Sequence, residues 1–297
     1  MKEARIGAVI PTFNRKESLR KCLQCLQAQK MGRMPWSLVI IAVVDGSTDG
    51  TREMLEKEFP EVEIVHGDGN WWYTKSINEG IKRAQTLDCN FVLTLNDDLT
   101  FKPDYIDIIL NDHFASGENS IIGSVSLSVT EPRLMTFSGV EKVNFVLKEY
   151  NYVPKFSPVK ENEIAGLKPS VVLSGRGILY PMEVFLRHGL YDEKLVQYSS
   201  ETDYTYNASK KGYKVMISWN AKVYENVKLT SSGAVYNNPT AGSLFRSFKN
   251  RYSINSLHKI FYYSIKHRGP VSGTLISGLR VMGILKNFVK VKIKNKA

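Results

Sequence analysis

Asn96-Asp97-Asp98 follows the apolar run Phe91-Val92-Leu93-Thr94-Leu95. Two adjacent carboxylates at the exposed end of a buried strand repel one another, and a hard divalent cation bridging them to phosphate oxygens is one way to offset that charge. A solvated turn is the plain alternative for this pair alone. Asp45 ends another apolar run; its carboxylate can accept from a ribose hydroxyl or a base imide, while Gly46 lets the backbone turn tightly beside a ligand. Helix capping would use the same residues. In Gly69-Asn70-Trp71-Trp72, followed by Thr74-Lys75, aromatic surface and a cation meet at a helix start, where free N–H groups favour a diphosphate. Of the two tryptophans, Trp71 is expected to pack beneath the sheet. Ser200-Glu201-Thr202-Asp203 opens a helical stretch, and a carboxylate there could take the proton of an attacking hydroxyl or simply cap the helix.

Elements of alternating type must position these groups. Strands are predicted over residues 5–10, 38–44, 62–66 and 91–95. Helices are predicted over 14–29, opened by Asn14 with Glu17 three residues on; after a cap at Ser47 or Thr48; and over 74–85. Strand, helix, strand, helix implies an α/β, doubly wound parallel sheet, in which ligands sit outside the carboxyl ends of the strands. Each chemistry-bearing string begins where a predicted strand ends, including Pro11-Thr12-Phe13-Asn14-Arg15 after the first. No GxxxxGK[ST] or GxGxxG string is present, so neither a P-loop NTPase nor a dinucleotide enzyme is supported. Between about 119 and 180 the pattern loosens into short strands, including 121–129 and 171–173, the latter leading into Ser174-Gly175-Arg176-Gly177. Residues 204–211 read as a helix and 213–218 as a strand. Residues 226–242 read as a flexible connection, and 245–266 and 275–292 as basic, aromatic helices.

Taken in order, PTFNR, DGSTDGT, GNWWYTKSINEGI, LNDDLTFKPDYI and the stretch from Tyr191 to Val215 resemble inverting family 2 glycosyltransferases of the GT-A fold, most closely bacterial rhamnosyltransferase-like members. The resemblance covers about residues 5–225. It implies a doubly wound, Rossmann-like mixed sheet and a UDP- or dTDP-sugar donor. It also implies Mg²⁺ or Mn²⁺ on the diphosphate, and direct displacement by a hydroxyl of a saccharide acceptor. On it Pro11, Thr12, Asn14, Arg15, Asp45, Asn70, Trp72, Lys75, Asn96 and Asp97 are donor-side residues and Asp98 is the metal ligand. Gly175, Arg176 and Gly177 form the loop beneath sugar and acceptor. Glu201 stands at the base position, where relatives carry Asp, and Asp203 is the second candidate; Glu225 stands where some relatives have a His near the metal.

The chain has 297 residues and a formal charge of +11. From Asn226 onward there are thirteen basic residues and no acidic one, so residues 1–225 carry 27 basic against 29 acidic groups. A neutral body offers little to a polyphosphate, which argues against a nucleic-acid binder despite the net charge. The expected division is a catalytic domain over 1–228, a linker over 229–242 and a basic amphipathic helical tail over 243–297. The tail suits an anionic membrane surface, with a homodimer contact as the alternative, and membrane contact would fit a lipid-linked acceptor in cell-surface polysaccharide synthesis. Three cysteines, no signal-peptide pattern and no long apolar window predict a cytoplasmic protein, peripheral on the inner face of the membrane. Cys22 and Cys25 share a helix with Leu19, Leu23 and Leu26 and are expected to pack rather than bind zinc.

Overall fold

The computed structural model describes residues 3–32, 34–227 and 240–294. The strands are β1 (Ala4–Thr12), β2 (Trp36–Asp45), β3 (Glu63–Gly67), β4 (Phe91–Thr94), β5 (Leu99–Phe101), β6 (Ser120–Ser128), β7 (Met135–Phe137), β8 (Val140–Val143), β9 (Glu149–Asn151), β10 (Leu167–Pro169), β11 (Ile178–Pro181) and β12 (Lys214–Glu225). The α-helices are α1 (Lys16–Gln27), α2 (Thr51–Glu58), α3 (Trp72–Thr86), α4 (Tyr105–Ser116), α5 (Met182–His188), α6 (Ser200–Lys210), α7 (Ala241–Lys249), α8 (Leu257–Arg268) and α9 (Pro270–Lys294).

The main sheet runs β10-β12-β6-β11-β4-β1-β2-β3. Strands β3, β2, β1 and β4 are parallel, so their carboxyl ends share one edge, whereas β11 pairs antiparallel to both β4 and β6. The sheet is therefore mixed, as the resemblance implies. Its central strands are apolar on both faces because helices cover both. On one side Ile6, Ile10 and Leu93 meet Leu19 and Leu23 of α1 and Leu55 of α2. On the other Val9, Ile41 and Val43 meet Ile77 and Ile81 of α3. Cys22 is buried in the first layer, as expected of a packing residue.

Several local expectations change. Asn14 does not cap α1: at φ 52° it accepts a hydrogen bond from the Thr48 amide through Oδ1, and the Lys16 amide donates instead to Asp49. Asp49 also accepts from the amide of Thr51, so neither Ser47 nor Thr48 opens α2; one carboxylate joins two helix starts. The predicted helix over 245–266 is two helices. Asn250 ends α7, and the Ser256 side chain accepts from the Lys259 amide to start α8. The strand predicted over 213–218 runs on to Glu225, bulging between Ser218 and Lys222. Most of the proposed linker, 229–239, lies outside the described residues; Thr240 caps α7.

The C-terminal helices dock on the body. Asp203 of α6 is buried between His267 Nε2 (2.8 Å) and Lys266 Nζ (2.8 Å) of α8, and Asp192 accepts from Lys266 and from the Tyr262 hydroxyl. Ile260 and Tyr263, expected on a membrane-facing surface, are instead buried; Tyr263 packs with Leu147, Leu195 and Ile276.

Gly80 sets how closely α3 approaches the sheet, since a Cβ there would lie 2.2 Å from Val9 Cγ1 and 3.0 Å from Val43 Cγ2. Branched side chains in a filled layer have no room to yield, so Gly80→Ala should destabilise the chain by about 1–3 kcal/mol despite its better helix propensity. Chemical denaturation checks this; equal or greater stability would show that α3 stands off the sheet.

Candidate active site

A cavity of about 550 Å³ opens at the carboxyl edge of β1, β2 and β4 and extends beneath the start of α6. Its charged lining comprises Asp45, Asp97, Asp98, Glu149, Glu201 and Glu225 against Arg15, Lys155, Arg176 and Lys259. Six carboxylates facing four cations leave the wall with a formal charge of −2.

Asp97 and Asp98 share Arg15. Its Nη1 lies 3.2 Å from Asp97 Oδ1 and 3.1 Å from Asp98 Oδ2, and the Thr12 hydroxyl donates to Asp97 Oδ2 at 2.8 Å. Asp98 keeps Oδ1 without a hydrogen bond among the described residues. Burial raises the Asp97 carboxyl to about 6, against the opposing pull of Arg15. The Cys22 thiol behind it is pushed well up by burial, which leaves it unreactive.

Asp45 organises the neighbouring wall. Its Oδ1 accepts from the Gly69 amide at 2.8 Å, and its Oδ2 from the amides of Trp71 and Trp72 at 3.0 and 2.9 Å. The strand end thus fixes the loop that starts α3. Gly46 permits the close approach, since a Cβ there would lie 2.6 Å from Gly69 Cα. The loop turns Trp72, at φ 57°, towards the cavity, where it stacks on Tyr252 with ring centres 3.7 Å apart. Trp71 is half-buried against the core, as expected, beneath the Lys75 ammonium.

Glu201 stands on the first turn of α6. Its Oε2 accepts from the Ser200 hydroxyl at 3.2 Å and its Oε1 from the Gly175 amide at 3.4 Å. Burial raises its carboxyl above the ordinary glutamate range, with the nearby Arg176 pulling the other way. Arg176 is itself ion-paired with Glu225, Nε to Oε1 at 2.9 Å. The Tyr73 hydroxyl is buried beneath Gly175 with no hydrogen-bond partner among the described residues.

Of the residues singled out from sequence, Pro11, Thr12, Arg15, Asp45, Trp72, Asn96, Asp97, Asp98, Gly175, Arg176, Glu201 and Glu225 meet at this cavity. Asn70 and Lys75 line a smaller neighbouring pocket of about 200 Å³ with Arg251 and Tyr252. Asn14 is exposed and engaged with Thr48, and Gly177 packs against Tyr105 and Ser124 behind the cavity. Asp203 is not on the cavity wall: two residues along a helix from Glu201, it points away into α8. Glu149, Lys155, Tyr198 and Lys259 line the cavity and were missed. They sit in the irregular hairpin, a loop and the C-terminal helices, where no strand-end rule applies.

The Asp97 carboxyl is raised, so its charge costs the fold stability. That cost is absent below the unfolded pKa near 4 and fully present above about 6, on the order of 3 kcal/mol. Titration of a ¹³C-labelled Asp97 should give a midpoint near 6, and Arg15→Met should move it higher by removing the cation. A midpoint near 4 in both proteins would mean that the carboxyl is solvated.

The glycosyltransferase GlyA of Streptococcus pneumoniae serotype 4 is 25% identical over 186 residues, which cover 61% of this chain and 25% of GlyA. The chain thus spans about a quarter of the length of that relative. The crystal structure of GalNAc-T7 with UDP, GalNAc and Mn²⁺ superposes with a TM-score of 0.62 at 13% identity, covering 90% of this chain and 51% of the other. That of S. aureus TarS 1–349 with UDP gives 0.55 at 14%, covering 88% and 71%. At such identities the likeness is one of fold, the GT-A fold. The family model described as Glycosyl transferase family 2 matches residues 8–161, from β1 through the Asp97–Asp98 edge to the hairpin. The chain belongs to glycosyl transferase family 2.

Proposed function

We propose that the cavity transfers a sugar from a nucleotide-diphosphate donor to a hydroxyl of a saccharide acceptor, with inversion at the anomeric carbon. One observation carries this: a desolvated carboxylate, Glu201, faces the same cavity as the Asp97–Asp98 pair. The nucleotide would lie along the ends of β1 and β2, beside Thr12 and Asp45, and the diphosphate near Arg15 and Asp98. UDP in the structures of GalNAc-T7 and TarS supports that class of donor.

The chemistry of the donor set bears on the metal. Among the described residues no three His, Cys, Asp or Glu side chains group to hold an ion. Asp98, with one oxygen uncommitted, fits instead a hard cation that arrives with a diphosphate, a mode needing only one or two protein carboxylates. A wall of charge −2 meeting a diphosphate favours the same arrangement. When bound, Mg²⁺ or Mn²⁺ supplies charge neutralisation on the leaving diphosphate. Arg15 adds positive charge at that end, and Glu201, kept poorly solvated, takes the proton of the acceptor hydroxyl. Its raised pKa makes it a stronger base once ionised.

The C-terminal helices suggest a location. Along α9, Val271, Leu275, Leu279, Met282, Leu285, Val289 and Ile293 are exposed, and Lys286, Lys290 and Lys292 lie exposed among them with no acidic residue on the helix. Among the described residues no helix is long and apolar enough to cross a membrane. An apolar stripe flanked by cations fits an anionic bilayer surface, and like charge opposes pairing of two such helices. Such a surface supports an acceptor carried on a lipid, in cell-surface polysaccharide synthesis.

Glu201→Gln should reduce transfer by a factor of about 10²–10⁴ while UDP binding in the presence of Mn²⁺ stays within about twofold. Radiolabelled UDP- and dTDP-sugars, dTDP-rhamnose included, provide the assay, and undiminished turnover would remove Glu201 from the base role. Replacing Leu275, Leu279 and Met282 together by Gln should lower sedimentation with phosphatidylserine vesicles by about tenfold or more, with weak binding to neutral vesicles throughout. Equal binding by both proteins would assign the stripe elsewhere.

A further inference from the structure

The C-terminal helices supply part of the cavity wall as well as its outer support. Ile254, from the turn between α7 and α8, and Lys259, in the first turn of α8, line the cavity with Tyr198, Glu149 and Glu201. Lys259 is only 8% exposed, and ammonium groups are seldom buried unless they serve a partner. Its Nζ donates to the Ile254 carbonyl at 2.5 Å and lies 5.4 Å from the centre of the Tyr198 ring. An ammonium has three donors, so the carbonyl leaves others for the cavity. Glu201 and Glu149 are the carboxylates that line the same cavity close enough to act on the Lys259 charge, and Arg280 of α9 is the nearby like charge. The Asp97–Asp98 end has its own cation, Arg15.

The position of Lys259 is fixed against Glu201 by the frame around it. Asp203, on the same helix as Glu201, is held by Lys266 and His267 of the helix that carries Lys259. A second tie runs from Tyr262 and Lys266 to Asp192. The two side chains therefore approach one cavity from helices locked together outside it.

We propose that Lys259 is an acceptor-binding residue: its ammonium holds hydroxyls of the acceptor sugar beside Glu201, which makes the C-terminal helices one wall of the acceptor subsite. An ammonium and two carboxylates lining one cavity present both the donors and the acceptors that a polyhydroxylated ring requires. A nucleotide diphosphate, by contrast, has its partners at the Arg15 end. The inference rests on glycosyl transfer at Glu201 and adds to it a residue lying outside the segment that matches the family.

The full-length chain carrying Lys259→Met or Lys259→Arg tests it, with MnCl₂, whichever nucleotide sugar the wild type uses, and p-nitrophenyl hexosides as acceptor probes. The Met variant should raise the acceptor KM by about tenfold or more, and the Arg variant should recover part of the loss. Donor KM, UDP affinity and the slow hydrolysis of donor by water need no acceptor and should stay within about twofold. An unchanged acceptor KM, or a donor KM that rises in its place, overturns the proposal. So does a parallel loss of every parameter with a lowered melting temperature, which is the mark of a purely structural lysine. A wild-type chain that neither transfers nor hydrolyses any nucleotide sugar removes the glycosyl-transfer reading and this proposal with it, an outcome distinct from failure at Lys259 alone.

Discussion

Two carboxylates side by side at the end of a fully buried strand are the constraint around which the open edge of the sheet is built. β4 is apolar on both faces, so the chain emerges from the core directly into Asp97 and Asp98. Neither group can turn far from the other or from the sheet. Arg15 spans both, and Thr12 donates to the inner one, so the last residue of β1 and one just beyond it offset charge generated after β4. That pairing requires β1 and β4 to be adjacent and parallel, which they are. The outer carboxylate retains an oxygen for something that comes and goes. A charge balance of this kind suits the cation-bearing diphosphate proposed above.

The basic C-terminal residues belong to this arrangement and are not an appendage to it. Opposite charge divides the chain into an acid-tipped body and a cationic extension, and their contact is made through specific pairs. Asp203 and Asp192 receive the extension; Lys266, His267 and Tyr262 deliver it. A buried carboxylate held by two such partners is expensive to strip of them, so α6 and α8 act as one rigid unit. Glu201 gains a fixed orientation from that unit, and the cavity gains Lys259 and Ile254. Trp72 and Tyr252 join the two parts again on the other side of the opening.

Much of the cavity wall at the strand ends was legible in the sequence because a simple rule applies there. Parallel strands of an α/β sheet end on one edge, and polar strings after apolar runs mark those ends. Pro11, Thr12, Arg15, Asp45, Trp72 and Asn96 through Asp98 follow from it. The rule reaches its limit where side chains satisfy backbone rather than ligand. Asn14 and Asp49 are consumed in joining α1 to α2, and the pattern of a capping pair at Asn14 and Glu17 could not distinguish a cap made locally from one made across a loop. Asp203 looked like a second base because sequence spacing alone does not say which face of a helix meets a cavity. Glu149, Lys155 and Lys259 were invisible because they come together only through long-range docking of the hairpin and the C-terminal helices.

If Glu201 removes the acceptor proton while the diphosphate leaves from the Arg15 and Asp98 end of one cavity, the acceptor must enter opposite the leaving group and the anomeric configuration must invert. Proton NMR of the product glycoside, whose acetal linkage does not mutarotate, measures this directly. A donor with an α-linked diphosphate should yield only a β-linked product, and a β-linked donor only an α-linked one. A product that retains the donor's configuration would contradict it, since retention requires a different arrangement of groups about the anomeric carbon.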